Sequence, residues 1–190
     1  LPIYTDFYSH ILGMSLKVEV TGHFGYPMIM FPTSQGDYTQ NHDFKLNESL
    51  NWLVENGKVK LYNIETIDKF SFYDKNIHPS ERIRNYELYM QFLKQEFVPY
   101  IQRLHSVHRV AVAGASFGGY HAANFAFRFP DVVSHMFCLS GAFSIGNFMD
   151  GFSNDLVYYN CPREFMRNDE AWKFKHMHIV LSTSDEDICL

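Results

Sequence analysis

The stretch from Val110 to Tyr120, VAVAGASFGGY, constrains the fold of this 190-residue chain more than any other. Alternating small and β-branched residues predict a buried strand, and an amphipathic segment follows the Gly-Ala-Ser-Phe-Gly-Gly break at once. A serine on so tight a strand-to-helix turn must adopt a strained backbone, and side chains two residues before and after it would collide. We therefore expect Gly114 and Gly118 to leave room for a turn on which the Ser116 hydroxyl stands clear of the sheet.

The same turn predicts a place where negative charge is stabilised. A helix that begins at Phe117 directs its free amide groups and its positive end toward the serine, so the Phe117 N–H can stabilise an oxyanion. The alternative is structural, because G-x-S-x-G also occurs by chance and a glycine after a strand can serve helix packing alone. The apolar strand before the motif and the amphipathic helix after it favour a nucleophile at Ser116.

Strands alternate with helices along the rest of the chain, which predicts one domain over residues 1–190 with a mostly parallel central sheet and helices on both faces. Asn47 is expected to cap a short helix through Val54, and Pro99 to kink a long helix that begins at Pro79. Residues 142–168 lack clear periodicity and are predicted to be a cap-like insertion over the strand ends. The predicted strands are 14–20, paired as a hairpin with the segment around 4–11, and then 27–31, 59–64, the stretch from 110, 133–139 and 179–182.

Composition narrows the class of partner. Charged residues make up 19% of the chain, the formal net charge is −5, and no Lys/Arg cluster is present, so a nucleic-acid or anionic-membrane surface is not expected. No apolar run approaches the ~20 residues of a membrane span. Cys138, Cys161 and Cys189 lack disulfide or zinc spacing, and we interpret them as buried thiols of a cytoplasmic protein. The expected partner is a small molecule, and a homo-oligomer remains open.

Four segments carry a resemblance to a known family: GASFGGY, FPTSQGD after the second strand, HPSER at the start of the long helix, and DEDIC after the last strand. Together they resemble the putative-esterase branch of the α/β-hydrolase superfamily, which includes the esterase D-like enzymes. The resemblance implies an α/β-hydrolase fold. It also implies hydrolysis of a carboxylic ester through a Ser-His-Asp triad, with no metal or organic cofactor.

The resemblance implies which residues supply the nucleophile and the two oxyanion donors. Ser116 corresponds to the nucleophile, and the Phe117 N–H to one oxyanion donor. The second donor comes from the loop after the strand PMIMF, so a backbone N–H of Ser34 or Gln35 is implied. An ordinary polar turn at Gly36-Asp37 is the structural alternative for that loop.

The resemblance also implies positions for the acid and the base of the triad. The family pattern places the acid at Asp187, with Asp185 second, because Ser184 stands where the family has glycine. An acidic surface turn is the alternative. The family's histidine follows the acid, yet all ten histidines precede Asp187, so we expect the base beyond Leu190 and the chain to lack a carboxyl-terminal strand and helix.

Other histidines and aromatic residues have simpler expected roles. His121, on the helix after Ser116, is interpreted as a surface or packed residue, and His78 as a helix cap or a pocket residue.

Without a base the alternative function is a non-catalytic ligand- or partner-binding protein, and acyl transfer would use the same residues as hydrolysis. Eight aromatic residues could line a substrate pocket or simply fill the core: Phe70, Phe72, Tyr73, Phe143, Phe148, Phe152, Tyr158 and Tyr159.

Overall fold

The sheet is centred on the apolar strand Tyr26–Phe31, which is buried on both faces. A computed structural model of the protein describes residues 1–168 and 171–183, and within them seven strands form one sheet in the order β1-β2-β4-β3-β5-β6-β7. The two pairings β1/β2 and β2/β4 are antiparallel and the other four are parallel. The strands are β1 (Ile3–Ser9), β2 (Met14–Thr21), β3 (Tyr26–Phe31), β4 (Val59–Ile64), β5 (Val110–Ala115), β6 (Val133–Leu139) and β7 (His178–Ser182).

Helical segments connect the strands within the described residues. The α-helices are α1 (Gln40–Asp43), α2 (Leu46–Ser49), α3 (Asn51–Glu55), α4 (Pro79–Phe92), α5 (Val98–His105), α6 (Phe117–Arg128), α7 (Asp155–Tyr159) and α8 (Pro162–Phe165). A π-helical turn, Leu93–Phe97, joins α4 to α5. Short 3₁₀ turns lie at Asp68–Phe70, Pro130–Val132, Gly146–Phe148, Met166–Asn168 and Ala171–Phe174. No helix in this part of the chain has the length and apolar character to cross a membrane.

The two faces of the sheet are covered by different helices. On one face, Ile29 and Phe31 pack in a large apolar cluster with residues of α4, α5 and α6. On the other face, Met28 and Met30 pack in a smaller cluster with α2 and α3. This alternation along β3 arises because successive side chains of a strand point to opposite faces. The predicted α/β architecture with helices on both faces is therefore confirmed.

One local prediction is wrong, and the irregularity expected at Pro99 lies in the turn just before it. The segment expected as one helix capped by Asn47 is two short helices, and Asn47 lies inside α2 with its side chain buried, where its Nδ2 donates to Glu19 Oε1 at 3.1 Å. The Asn47 side chain thus makes a tertiary hydrogen bond and does not cap a helix. The irregularity in the long helix comes before Pro99, in the π-helical turn, because a proline ring clashes with the carbonyl four residues earlier and offers it no N–H.

Residues 142–168 are joined to α4 and α6 by polar contacts. The Tyr120 hydroxyl on α6 donates to the Asn160 carbonyl at 2.7 Å. The Arg82 guanidinium on α4 donates through Nη1 to the Phe148 carbonyl at 2.9 Å and to Asp150 Oδ2 at 2.6 Å. The segment that has no clear sequence periodicity is therefore held by specific side chains of α4 and α6.

Candidate active site

Ser116 occupies the turn between β5 and α6 in a backbone conformation that is rare for a residue with a side chain. Its φ is 54° and its ψ is −120°, and α6 begins at the next residue. The Ser116 N–H donates to the Leu139 carbonyl at 2.8 Å, which ties the turn to the end of β6. Such strain persists only where the surrounding structure holds it, and it is concentrated at functional sites.

The glycines beside Ser116 meet backbone atoms, not flexible side chains. A Cβ on Gly118 would lie 2.5 Å from the Pro32 carbonyl oxygen and 2.6 Å from that of Phe31. A Cβ on Gly114 would overlap the Gly118 carbonyl. The first turn of α6 therefore rests directly on the carboxyl end of β3, which brings Ser116 close to the loop that follows β3.

That loop contains the two candidate oxyanion donors, and their N–H groups differ in their surroundings. Gln35 has a φ of 55°, and its N–H donates to Asp68 Oδ2 at 3.4 Å. The Ser34 N–H has no hydrogen-bond partner in residues 1–168 and 171–183. The loop is closed by the Gly36 N–H, which donates to the Thr33 carbonyl at 3.0 Å, and by Gln40, whose Oε1 accepts from the Thr33 N–H at 2.6 Å.

The Phe117 N–H is the other candidate donor. It belongs to the first residue of α6, and the first N–H groups of an α-helix have no partner inside the helix. The Phe117 side chain is 3% exposed and packs against Phe72, Tyr73 and Phe148, with ring centroids 5.6, 6.1 and 5.2 Å away. Phe72 is fully buried and so belongs to the core, whereas Phe70 and Tyr159 are exposed.

His121 and Asp68 form a buried pair that sequence reasoning missed. His121, one turn after Phe117 on α6, is 0% exposed, and its Nε2 lies 3.1 Å from Asp68 Oδ1. The Tyr86 hydroxyl bonds to His121 Nδ1 at 3.0 Å. The sequence interpretation of His121 as a packed residue agrees with this burial, but nothing in the chain's spacing connects position 121 with position 68.

The ten histidines all lie in the described residues, and none forms a hydrogen bond with Ser116. His78 caps α4, accepting from the Ser80 N–H at 3.2 Å, and its ring contacts Phe152 at 5.4 Å. His135 and His178 stack at 4.7 Å near the amino ends of β6 and β7. No histidine of this sequence therefore takes the position of a base beside the serine.

The candidate acids, Asp187 and Asp185, lie outside the described residues. The strand before them is described: β7 runs parallel to β6, and the Ser140 N–H donates to the Ser182 carbonyl at 2.6 Å. The carboxyl end of β7 therefore lies at the same edge of the sheet as Ser116. The thiols of Cys138 and Cys161 are buried, as predicted, while Cys189 lies outside the described residues.

A cleft of about 420 Å³ opens between the loop after β3 and the helices α1 and α2. Thr33 and Ala115, which directly precede Ser34 and Ser116, form part of its wall. The other lining residues are Gln40, Asn41, Phe44, Lys45, Leu46 and Ser49. Over the described ranges, no three His, Cys, Asp or Glu side chains are grouped closely enough to hold a metal ion.

A mostly parallel sheet covered on both faces, with a serine on a strained turn between a strand and a helix, defines the class of the α/β-hydrolases. The family can be named more closely: the sequence model of the Putative esterase family matches residues 22–182. The chain belongs to this family, which supports esterase or hydrolase activity as its class of function.

Solved structures agree on the fold. The S-formylglutathione hydrolase from Staphylococcus aureus is 16% identical with a TM-score of 0.68, and the match covers 95% of this chain and 78% of that one. Fluorophosphonate-binding serine hydrolase F of the same organism gives the same four values. A ferulic acid esterase from the anaerobic fungus Anaeromyces mucronatus is 13% identical with a TM-score of 0.59, covering 96% and 82%. A search of curated protein sequences finds no match.

Proposed function

We propose that this protein is a serine carboxylesterase whose nucleophile is Ser116. The observation that carries the proposal is the φ of 54° at Ser116, between a buried strand and the start of α6. Membership of the esterase family supports it. A nucleophile needs both exposure and adjacent helix amide groups, and this turn provides both.

In the proposed reaction, Ser116 Oγ attacks the ester carbonyl carbon while its proton passes to a general base. The carbonyl electron pair moves onto oxygen and forms a tetrahedral oxyanion. Collapse of this intermediate breaks the bond to the alcohol, which leaves with a proton, and water then hydrolyses the acyl-enzyme. None of the ten histidines in this sequence forms a hydrogen bond with Ser116, so the proposal names no base among them.

Between the two candidate donors in the loop, the geometry favours Ser34. The Gln35 N–H is already directed at a carboxylate oxygen of Asp68, while the Ser34 N–H is without a partner in the described part of the chain. We therefore propose that the Ser34 and Phe117 N–H groups bind the oxyanion together. A donor placed before the reaction begins is worth far more than one that must reorient, and losing one typically costs ~10²–10³ in turnover.

The experiment is active-site labelling of the full-length natural protein with a fluorescent fluorophosphonate, followed by peptide mapping. We expect one labelled peptide that contains Ser116, and no labelling of a Ser116→Ala variant. The matched control is Ser34→Ala, which removes a hydroxyl in the same site but keeps the backbone N–H, and we expect it to label within about twofold of the wild-type rate.

Folded wild-type protein that does not label at Ser116 would reject the esterase proposal. It would favour a non-catalytic binding protein, the reading that agrees with the absence of a histidine beside the serine. Hydrolysis of p-nitrophenyl acetate, measured in the same samples, extends the test to turnover, and a Ser116→Ala variant with wild-type turnover would also reject the proposal.

A further inference from the structure

A buried carboxylate lies behind the loop that presents the candidate oxyanion donor. Asp68 follows β4, and its side chain is 2% exposed. An ionised carboxylate at such depth is costly unless charged or hydrogen-bonding groups surround it. Two groups on different elements approach it: the Gln35 N–H in the loop after β3 donates to Oδ2, and the His121 ring on α6 lies beside both oxygens and hydrogen-bonds to Oδ2.

The position of Asp68 is itself fixed by the backbone. Its carbonyl accepts from the Ser71 N–H at 3.2 Å and from the Tyr73 N–H at 3.0 Å, so the 3₁₀ turn that begins at Asp68 holds the residue in place. The carboxylate is therefore a rigid acceptor. A rigid acceptor can set the direction of a donor that approaches it from another element.

The Gln35 N–H is such a donor. Ser34 and Gln35 are exposed, and Gln35 has a φ of 55°, a left-handed conformation that costs a residue with a side chain about 1–2 kcal/mol. A hydrogen bond to a charged acceptor offsets this cost. Because the Gln35 N–H donates to Asp68, this bond fixes the orientation of the peptide group between Ser34 and Gln35.

His121 connects the same carboxylate to the other donor. It lies one helical turn after Phe117, and the two rings meet edge to face with centroids 4.9 Å apart. His121 Nε2 lies 3.1 Å from Asp68 Oδ1 and 3.5 Å from Oδ2. The first turn of α6 and the loop after β3 are therefore joined through one buried carboxylate.

We propose that Asp68 and His121 are positioning residues for the oxyanion hole, with Asp68 holding the Gln35 peptide and His121 holding Asp68 against α6. This inference rests on the proposed esterase function of Ser116. Neither residue contacts the ester in this proposal. His121 acts through Asp68, and Asp68 acts through the backbone of the loop.

The donor and acceptor roles of Tyr86, His121 and Asp68 are consistent with one another. Burial raises the pKa of the Tyr86 phenol well above its ordinary value, so the phenol keeps its proton. The Tyr86 O–H can then donate to His121 Nδ1, which leaves the Nε2–H of a neutral ring to donate to Asp68. This arrangement commits both ring nitrogens of His121 and leaves neither for proton transfer at Ser116.

The test measures the rate of fluorophosphonate labelling at Ser116 in the full-length protein, because the phosphoryl oxygen of the reagent occupies the oxyanion hole. We expect Asp68→Ala to lower the rate constant at least about tenfold. His121→Leu, which has similar volume and no donor, should lower it comparably. His121→Gln, whose amide nitrogen can reach the former Nε2 position, should recover most of the rate.

The control for a purely structural effect is a partly buried ion pair between α4 and α6. Glu87 on α4 pairs with Arg128 of α6 at 2.8 Å, near the end of α6 far from Ser116. Glu87→Gln should destabilise the protein while leaving the labelling rate per folded molecule within twofold. Circular dichroism on each sample gives the folded fraction and corrects the rates.

Separate measurement of kcat and KM provides a second readout where a variant is unstable. With p-nitrophenyl acetate, the positioning role predicts that kcat falls at least about tenfold in His121→Leu while KM stays within about twofold, since the donors act on the transition state. Labelling of the folded Asp68→Ala and His121→Leu variants at the wild-type rate would overturn the inference and leave the esterase proposal intact. Absence of wild-type labelling would reject both.

Discussion

Gly118 is a residue at which two physical effects compete. Inside a helix, alanine is favoured over glycine by ~1 kcal/mol, so propensity alone predicts that Gly118→Ala stabilises the protein. The collision runs the other way, because a Cβ at this position would meet two backbone oxygens of the β3 end at 2.5 and 2.6 Å. Backbone oxygens at the end of a central strand cannot shift easily, so we expect the destabilising collision to outweigh the gain in helix propensity.

We predict that Gly118→Ala lowers the free energy of unfolding by an amount on the order of 1–3 kcal/mol, as overpacking in a well-packed core does. Urea denaturation followed by circular dichroism measures it. Gly146→Ala is the matched control, since the nearest atom to its added Cβ is Ser144 Oγ at 3.6 Å, and its midpoint should change little. A Gly118→Ala variant more stable than wild type would show that the turn can relax.

At the scale of elements, the polar cluster around Glu19 joins β2 to the helices on the second face of the sheet. Glu19 is 0% exposed, and its Oε1 accepts from Thr21, Asn47 and Asn63 at 3.2, 3.1 and 3.4 Å. His42 of α1 lies 3.7 Å away. Despite these contacts, burial raises the pKa of the Glu19 carboxyl. The cluster thus connects β2 with its neighbouring elements, and its burial favours the protonated form of the Glu19 carboxyl.

This raised pKa predicts a pH dependence of stability with a definite sign. The folded chain binds the Glu19 proton more tightly than the unfolded chain, so the contribution is fully present below the ordinary carboxyl value of 4.5 and is lost as pH rises through the higher folded value. We expect the free energy of unfolding of wild type minus that of Glu19→Gln to decline across this window. Chemical denaturation at a series of pH values gives both curves.

The control for this titration is Glu48→Gln, on the exposed side of α2. Glu48 makes only a surface contact with Lys45 at 3.9 Å, and such pairs contribute little. The free energy of unfolding of wild type minus that of Glu48→Gln should stay constant over the pH range in which the same difference for Glu19→Gln declines. Parallel curves for Glu19→Gln and wild type would contradict the assignment of the titration to Glu19.

At the scale of the whole molecule, one buried guanidinium joins the loop after β4 to residues 142–168. Arg82 is 3% exposed, and its Nε donates to the Asp74 carbonyl at 2.8 Å while Nη1 donates to Phe148 and Asp150. The same contact lowers the pKa of the Asp150 carboxyl. Removing the guanidinium would leave several carbonyl oxygens without their donor, which is more costly than removing both partners.

We predict that Arg82→Met makes residues 142–168 the first site of proteolytic cleavage while the sheet stays protected. Limited proteolysis with mass spectrometry, at protease concentrations that leave wild type intact, identifies the cut. Arg84→Met, an exposed neighbour on the same helix, is the matched control and should resist cleavage like wild type. Cleavage of Arg82→Met that begins elsewhere would contradict an anchoring role for Arg82.

The local sequence by itself determined the strands, the position of the turn at Ser116 and the α/β class, because side-chain periodicity and glycine spacing act over a few residues. Val59–Ile64 and Val133–Leu139 form the predicted strands with the predicted bounds. The turn is marked in the sequence by its own glycines and by the apolar strand before it. Local steric rules, which the sequence displays directly, suffice for such features.

Only the tertiary structure decided which distant groups meet. Asn47 donates to Glu19 and is not a cap, because the sheet places a buried acceptor within its reach. Asp68 and His121 are 53 positions apart in sequence, and only the packing of α6 beside the loops after β3 and β4 makes them neighbours. Periodicity reports which face of an element is buried, but the partner across the core depends on how whole elements pack, and no local pattern encodes that.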